Sequence, residues 1–434
     1  MKAFTSHFPT HTSHFMAMLS DVLRDALRHL PPASRLIVAF SGGLDSHVLL
    51  HAAAALRGVG FPELRAIHVH HGLNPRADAW VEHCGQVCED LGVELRVIHV
   101  DASPADGESP EAAARRVRYA ALEAALLPGD GLLTAHHQRD QAETLLLQLL
   151  RGSGPAGLAA MPRWQPLGAG WHGRPLLEVS REVLEGHARD HGLAWIEDDS
   201  NRDTRFDRNL LRERIMPLLR ERWPSLDQTL ARAAGHQAES LGLLGDLARQ
   251  DLEALRGDFS GTLSVAALKT LRPARQRNVL RFWLMEKGLP MPSQARLQSV
   301  LDDVLAAGPD TTPLVAWPGG EIRRYRDALH AMVPLGDHDP GQCFKWDGRS
   351  ALEIPSLGVT LSGDWLASQG VSLAPGETFT VAFRLGGETL RVRDRTRDLK
   401  KLMQERGVPP WLRDRLPLVF RGEVLVAVYW KSEV

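Results

Sequence analysis

Arg35-Leu36-Ile37-Val38-Ala39-Phe40 runs directly into Ser41-Gly42-Gly43-Leu44-Asp45-Ser46, and HVLLHAAAAL (47–56) follows. A continuous apolar run of this kind is expected of a strand in a parallel sheet, which is covered on both faces. The Ala- and Leu-rich stretch after it is a strong helix pattern. Between them, two glycines let the backbone turn tightly and bring its N–H groups close to an anion. The helix N-terminus adds partial positive charge. The Ser41 and Ser46 hydroxyls can donate to phosphate oxygens, and Asp45 can hold a Mg²⁺ that bridges them. The plainer alternative is a Gly-rich turn capped by Ser and Asp. A phosphate loop of the GxxxxGK(S/T) type is excluded, because no lysine in the chain follows a glycine. A phosphate site here must work without that lysine.

Outward from this stretch, strand and helix patterns alternate. LSDVLRDALRHL (19–30) is amphipathic, with Leu19, Leu23, Leu27 and Leu30 on one stripe. Further strands are expected at Leu64–Val69, Leu95–Val100 and Gly131–Ala135. Helices are expected at Trp80–Leu91, Pro110–Leu126 and Asp140–Leu150. This alternation predicts a doubly wound α/β domain with a mainly parallel sheet over residues 1–220. HARDHGLAWIEDDSN (187–201) reads as helix, short strand and loop. Residues 226–335 carry mostly helical patterns and predict a mainly helical second domain. Residues 345–434 predict a small α+β domain, with strands flanking LKKLMQERG (399–407) and Pro409-Pro410 beyond it.

The 434 residues suit about three domains. Apolar residues at 44% and charged residues at 24% are ordinary for a globular protein and exclude a disordered chain or a collagen-like fibre. No apolar run approaches the roughly 20 residues that span a bilayer. The first residues lack an apolar core of secretory type, so no signal peptide and no membrane partner are expected. Cys84, Cys88 and Cys343 are an odd number in a long chain. That argues against a disulfide framework and for a reducing cytoplasm.

A net charge of −2 argues, as an average, against a nucleic-acid partner. Local sums argue the other way. Residues 202–222 hold seven arginines against four acids, and 272–281 hold four arginines and no acid. Residues 384–421 hold eleven basic residues against five acids, among them Arg391, Arg393, Arg395, Arg397, Lys400 and Lys401. Such stripes fit phosphate-backbone contacts, as Arg205 does in the first of them; each can also be a solvated face. Only seven of the 51 basic residues are lysine. A GC-rich coding bias and phosphate recognition by guanidinium forks both produce that excess.

Three further blocks can carry chemistry. In His136-His137-Gln138-Arg139-Asp140-Gln141-Ala142-Glu143, a helix from 140 onward puts Asp140 and Glu143 on one face. Two such carboxylates suit a cationic amine, and one can take its proton. Acids at a solvated helix N-terminus are the plainer reading, and a His136–Asp140 metal pair is a third. His68-Val69-His70-His71 ends the second strand, where open α/β sheets line their crevice. It reads as a substrate-facing edge or a zinc site. Trp195–Arg212 is too polar for the core and too long for a simple turn. It is either a linker or a loop that brings Arg208 to a carboxylate or phosphate.

SGGLDS resembles the loop of PP-loop ATP pyrophosphatases, which cleave between the α- and β-phosphates and adenylate a substrate. HVHHGLNPRADAW (68–80), EAAARRVRY (111–119), LLTAHHQRDQAET (132–144), LLRGSGPAGLAAM (149–161), EDDSNRDTRFDRN (197–209) and LKKLMQERGVPPWLRDRLPLVF (399–420) extend the likeness over nearly the whole chain. Together they resemble the tRNA(Ile)-lysidine synthetase family. The resemblance implies that ATP, with Mg²⁺ at Asp45, adenylates C2 of the wobble cytidine of the CAU-anticodon tRNA(Ile). The ε-amine of free L-lysine then attacks C2 and expels AMP. It places Ser41, Gly42, Gly43, Leu44, Asp45 and Ser46 at the ATP phosphates, and His68 and Val69 by the adenine. It puts Asp140 and Glu143 at the lysine amine, Arg208 at its carboxylate, and Arg115 and His136 at phosphate or the adenylated base. The oligomeric state stays open, a homodimer included. The family pattern usually has two acids where this chain has Arg139-Asp140, which puts in doubt any role needing both. Alternatives on the same fold are a tRNA thiolase, a small-molecule amide ligase, or a tRNA-binding protein on a decayed ATP fold. The two near cysteines are four apart rather than in a CxxC pair, which disfavours sulfur transfer.

Overall fold

The structure, a computed structural model, describes residues 14–30, 33–58, 61–72, 75–104, 110–197, 203–308, 311–392 and 395–430. It divides into two compact units, Met1–Gly242 and Leu243–Val434. In the first, the order is α1 (His14–Arg28), β1 (Arg35–Ala39), α2 (Leu44–Ala55), β2 (Glu63–His70), α3 (Ala77–Asp90), β3 (Glu94–His99), α4 (Pro110–Ala124), β4 (Asp130–Leu133) and α5 (Gln138–Leu150). Then come α6 (Pro155–Leu158), β5 (Trp164–Leu167), β6 (Gly170–Gly173), α7 (Arg181–Asp190), α8 (Asp207–Leu210), a π-helical turn (Leu211–Ile215) and α9 (Met216–Arg222). α10 (Leu226–Ala254) runs across the division.

The expected parallel sheet is present. Its six strands lie in the order β3-β2-β1-β4-β6-β5, parallel except for the β5–β6 edge hairpin. β1 pairs with β2 on one side and β4 on the other, with Leu36 opposite both Leu64 and Gly131. The winding therefore reverses between β1 and β4, and the crevice opens beyond their carboxyl ends. The SGGLDS loop follows β1, and His136–Asp140 follows β4. Leu36, Val38, Val48, Leu49, Leu50 and Leu133 form the core under that crevice, joined by Leu19 and Leu23 of α1. α2 is buried on nearly every side. The short strand expected within 187–201 does not form in the described residues up to 197, where the Ile196 N–H bonds to the Gly42 carbonyl (2.9 Å).

α2 and α7 meet through histidines. His51 Nδ1 lies 3.1 Å from His187 Nε2, and His191 stacks on His187 with ring centroids 4.3 Å apart. Burial, reinforced by the facing His191, pushes His51 down to about 4 and His187 down to about 3. The unfolded imidazoles, near their ordinary value of about 6.5, take up protons first as pH falls. Stability held by these two groups is therefore complete above about pH 6.5 and is lost as pH drops towards 4. Thermal melting followed between pH 7.5 and 5 should show a falling Tm for the first unit. Replacing His51 and His187 together by Gln should flatten that slope.

The second unit has a helical part: β7 (Leu263–Ser264), α11 (Val265–Thr270), α12 (Pro273–Glu286) and α13 (Gln294–Ser299), the last continuing as a π-helical turn. Its core, with Leu268, Leu280, Trp283 and Ile322, also takes in β8 (Leu314–Trp317), β9 (Gly320–Tyr325) and β10 (Ala328–Met332). These strands form an antiparallel sheet in the order β7-β10-β9-β8. Short strand-like runs in the Gly-, Pro- and Trp-rich sequence from 311 onward match β8, β9 and β10 of that sheet. Beyond it lie β11 (Phe344–Trp346), β12 (Leu352–Ile354), β13 (Val359–Leu361), α14 (Gly363–Ser368), β14 (Phe379–Ala382), β15 (Thr389–Val392) and β16 (Arg395–Asp398). α15 (Leu399–Glu405), α16 (Pro410–Arg413), β17 (Leu418–Arg421) and β18 (Val424–Val428) are the last elements of the described residues.

Candidate active site

The turn after β1 is built by Gly42, whose φ of +81° is a conformation that side chains disfavour. A Cβ there would stand 2.6 Å from Ile196 Cδ1 and 3.1 Å from Cys84 Sγ. Ser46 Oγ donates to the Gly43 carbonyl (3.0 Å), accepts from the Ser41 N–H (3.2 Å) and lies 3.0 Å from Ser41 Oγ. Gly43 is the N-cap of α2 and supplies no capping side chain. This is a preformed cradle with an uncapped helix end, suited to an anion. Gly42→Ala should cost about 1–3 kcal/mol of stability, from positive-φ strain and the Ile196 clash, and weaken binding of a nucleoside triphosphate. Urea melts and calorimetric ATP titration would measure both.

Two cavities meet at the loop, and both are lined by Ser41, Gly43, Asp45, Asp140 and Ile196. The first, about 350 Å³, adds His68, Val69, Trp80, Arg118, Tyr119 and His136. The second, about 600 Å³, adds His137, Arg139, Arg181, Glu197, Arg212 and Arg220. One therefore mixes aromatic and aliphatic side chains with polar ones and suits a flat base with polar edges. The other is ringed by guanidinium groups and suits phosphates or a carboxylate.

The acids sit where these cavities join. His137 caps α5: its Nδ1 accepts from the Arg139 N–H (3.2 Å), and Asp140 Oδ2 accepts from the His137 N–H (3.1 Å). With Nδ1 accepting, Nε2 carries the proton, 3.7 Å from Asp45 Oδ2 and 3.6 Å from Asp140 Oδ2. Arg208 bonds Glu143 (3.1 Å) and Asp140 (3.0 Å). Arg212 bonds Glu143 through two nitrogens (2.8 and 2.7 Å) and Asp140 at 3.1 Å. Glu143 is fully buried beneath them. Burial acts to raise the Asp140 carboxyl, but His137 and Arg208, with His136 and Arg212, outweigh it and hold it well below the usual carboxylate range. Burial dominates at Asp45 and raises its carboxyl, against the pull of His137 and Arg181. Burial also pushes His136 down to about 3, leaving it neutral, with Nδ1 2.8 Å from Thr134 Oγ1.

The expected residues therefore fall into groups. Ser41, Gly43, Asp45, His68, Val69, His136 and Asp140 line the cavities, Leu44 lines the second, and Glu143 and Arg208 stand at the acid cluster. Arg115 is exposed and stacks on Tyr119, its guanidinium 5.1 Å from the ring centroid, while Arg118 lines the first cavity. Arg139, the departure from the family pattern, is half-buried at the second cavity, with Nη2 3.5 Å from Glu182. Arg205 is exposed and paired with Asp203 (2.6 Å). Arg391, Arg395 and Lys400 are exposed, as is Lys401; Arg397 bonds Glu405 (2.6 Å). Arg393 lies outside the described residues, as do residues 198–202 of the polar loop. His137, Arg118, Tyr119 and Arg212 stand within the quoted stretches without a role assigned to them from sequence, and Arg181 lies outside those stretches. Among so many arginines, only long-range packing separates these from the rest.

Asp45 and the serine hydroxyls are hard oxygen donors, which suits Mg²⁺. Among the described residues, no group of three or more His, Cys, Asp or Glu is placed to hold a metal by itself. His68–His71 therefore gathers no such set for a zinc ion. Cys84 and Cys88 are buried, and burial pushes their thiols up to about 12 and about 11. Such thiols are poor nucleophiles, so they do not suit sulfur transfer.

The doubly wound sheet with an SGGLDS cradle at its switch point defines a PP-loop domain, and the PP-loop family matches residues 11–219. The TilS substrate binding domain matches residues 263–330, and the TilS C-terminal domain matches 379–430. The chain belongs to the tRNA(Ile)-lysidine synthase family. It is 47% identical to the tRNA(Ile)-lysidine synthase of Alkalilimnicola ehrlichii over 94% of this chain and 92% of that one. It is 46% identical to that of Methylococcus capsulatus, over 90% of each chain. For Coxiella burnetii the figure is 42%, over 91% of this chain and 88% of the other. Among solved structures, a U34-tRNA thiolase from Methanococcus maripaludis overlays with a TM-score of 0.43 at 16% identity, over 52% of this chain and 79% of that chain. No described helix is long and apolar enough to cross a membrane.

Proposed function

We propose that the protein uses ATP to join free L-lysine to C2 of the wobble cytidine of the CAU-anticodon tRNA(Ile), giving lysidine, AMP and pyrophosphate, in the cytoplasm. The observation that carries this reading is the meeting of a base-sized cavity and an arginine-ringed cavity at Asp45 and Asp140. The cytidine C2 oxygen attacks the ATP α-phosphorus and releases pyrophosphate. The lysine ammonium gives up a proton to a carboxylate of the acid cluster, its ε-amine then attacks C2, and AMP leaves with the oxygen. Adenylation is what turns a poor leaving oxygen into a good one.

In this reading the Gly42–Ser46 cradle holds the phosphates, and Asp45 would hold Mg²⁺, which would offset the charge on them. Adenine lies beside His68 and Val69. The cluster of Asp140, Glu143, Arg208 and Arg212 matches a zwitterion. Lysine offers an ammonium to the acids and a carboxylate to the guanidinium groups, exchanging with the ion pairs already present. As paired, Asp140 is a fixed anion that attracts and orients the ammonium.

Purified protein, ATP, Mg²⁺ and labelled lysine should modify an unmodified tRNA(Ile) transcript with release of AMP and pyrophosphate. Label incorporation without tRNA, or sulfur incorporation, would overturn the reading. The basic tail should act on tRNA alone. Replacing exposed Arg391, Arg395, Lys400 and Lys401 together by Ala should flatten the plot of log affinity against log salt by about 3 and leave ATP affinity unchanged. Filter binding across a salt series reads the slope.

A further inference from the structure

The phosphate loop carries no lysine of its own, and the structure supplies a cation from 136 residues away. Arg181, the first residue of α7, places Nη1 2.5 Å from Asp45 Oδ1 and 2.6 Å from Oδ2. Its Nε lies 3.2 Å from Glu185, one turn along the same helix. The other arginines of the second cavity have firmer or different partners. Arg212 is held by Glu143 through two nitrogens, and Arg220 by Asp227 at 2.9 Å through two nitrogens. Arg139 lies 3.5 Å from Glu182 and 3.8 Å from Asp227. Arg181 is thus the cavity arginine bonded to the loop's own acid, the acid read above as the Mg²⁺ ligand.

With Arg181 Nη1 on both oxygens of Asp45, Mg²⁺ binding to that carboxylate takes at least one of them from Arg181. When Mg²⁺ arrives with a polyphosphate, Arg181 is displaced beside a group of high negative charge, and a planar guanidinium fork suits phosphate oxygens. We propose that Arg181 is a polyphosphate-binding residue that neutralises Asp45 in the nucleotide-free protein and passes to the ATP phosphates when Mg²⁺ takes Asp45. This inference rests on the reading of Asp45 as the Mg²⁺ ligand. The exchange keeps the loop from presenting a bare carboxylate to an incoming triphosphate. It also adds a cation to the phosphates once the metal is in place.

The test is ATP binding to full-length Arg181→Gln by calorimetry, in saturating Mg²⁺ and again in EDTA. With Mg²⁺ the variant loses one charge-assisted hydrogen bond, and ATP should bind about tenfold more weakly. In EDTA, Asp45 faces the triphosphate with neither cation, and the loss should be roughly a hundredfold. The enhancement of ATP affinity by Mg²⁺ should therefore grow about tenfold, which a general weakening of the fold would not produce. Arg181→Lys, which keeps a charge, should restore most of the EDTA affinity. An unchanged Mg²⁺ enhancement in Arg181→Gln, whatever its melting temperature, overturns the proposal. Asp45→Asn separates the two readings. If it keeps the wild-type Mg²⁺ enhancement, the Asp45 assignment fails and this inference with it. If it loses that enhancement while Arg181→Gln behaves as wild type, the inference alone fails.

Discussion

Asp45→Ala abolishes adenylation: AMP and pyrophosphate formation with tRNA(Ile) falls by about three orders of magnitude or more. Asp45 is the carboxylate of the SGGLDS loop, and it lines both cavities. Removing it takes away the anchor for Mg²⁺ and leaves Arg181 without its partner at 2.5 Å. The loop itself should survive. Its shape is held by Gly42, by the Ser41–Ser46 contacts and by the Ile196 N–H bond to the Gly42 carbonyl, none of which uses the Asp45 side chain. A near-unchanged melting temperature with lost pyrophosphate release is the expected pair of results. Retained release would remove Asp45 from the chemistry.

Asp140→Ala separates the two half-reactions. ATP binding and adenylation of the tRNA should persist, while lysine incorporation falls by roughly 10²–10⁴-fold. The adenylated tRNA should then accumulate, visible as label transferred from α-labelled ATP. Two arginines and a histidine hold Asp140 ionised, so the variant loses a permanent anion at the place proposed for the lysine ammonium. Asp140 also completes the cap of α5 through the His137 N–H, so a further loss of about 1 kcal/mol in stability is expected. Asp140→Asn, which keeps a hydrogen-bond acceptor, should restore stability and leave lysine transfer impaired. If ATP binding collapses in both variants, the division of roles between Asp45 and Asp140 is wrong.

Much of the catalytic unit was legible in the sequence. The apolar run of β1, the glycine turn and the uniform helix after it admit one arrangement, because each element's periodicity agrees with its neighbours'. The pairing of Asp140 with Glu143 was also legible, since three residues apart on a helix is one face. What those acids face was not. An open amine pocket was one reading; the structure shows the pair already neutralised by Arg208 and Arg212. Arg115 was expected at the site, while Arg118, one helical turn on, lines the cavity. Helical periodicity tells which residues share a face and leaves open how far along α4 the cavity reaches.

By itself the sequence determined the class of fold, the place of the glycine–serine turn after β1 and that of the acids after β4. These depend on local pattern and on the short reach between a strand and the helix that follows it. Only the tertiary structure decided which charges meet. Arg181 reaches Asp45 across 136 residues, and Arg208 and Arg212 reach Asp140 and Glu143 across 65 to 72. In a chain so rich in arginine, no single one stands out by its neighbours in sequence. The choice is made by burial: an acid taken out of water must find a cation within hydrogen-bond reach, and the packing of α5, α7 and α8 determines which arginine that is.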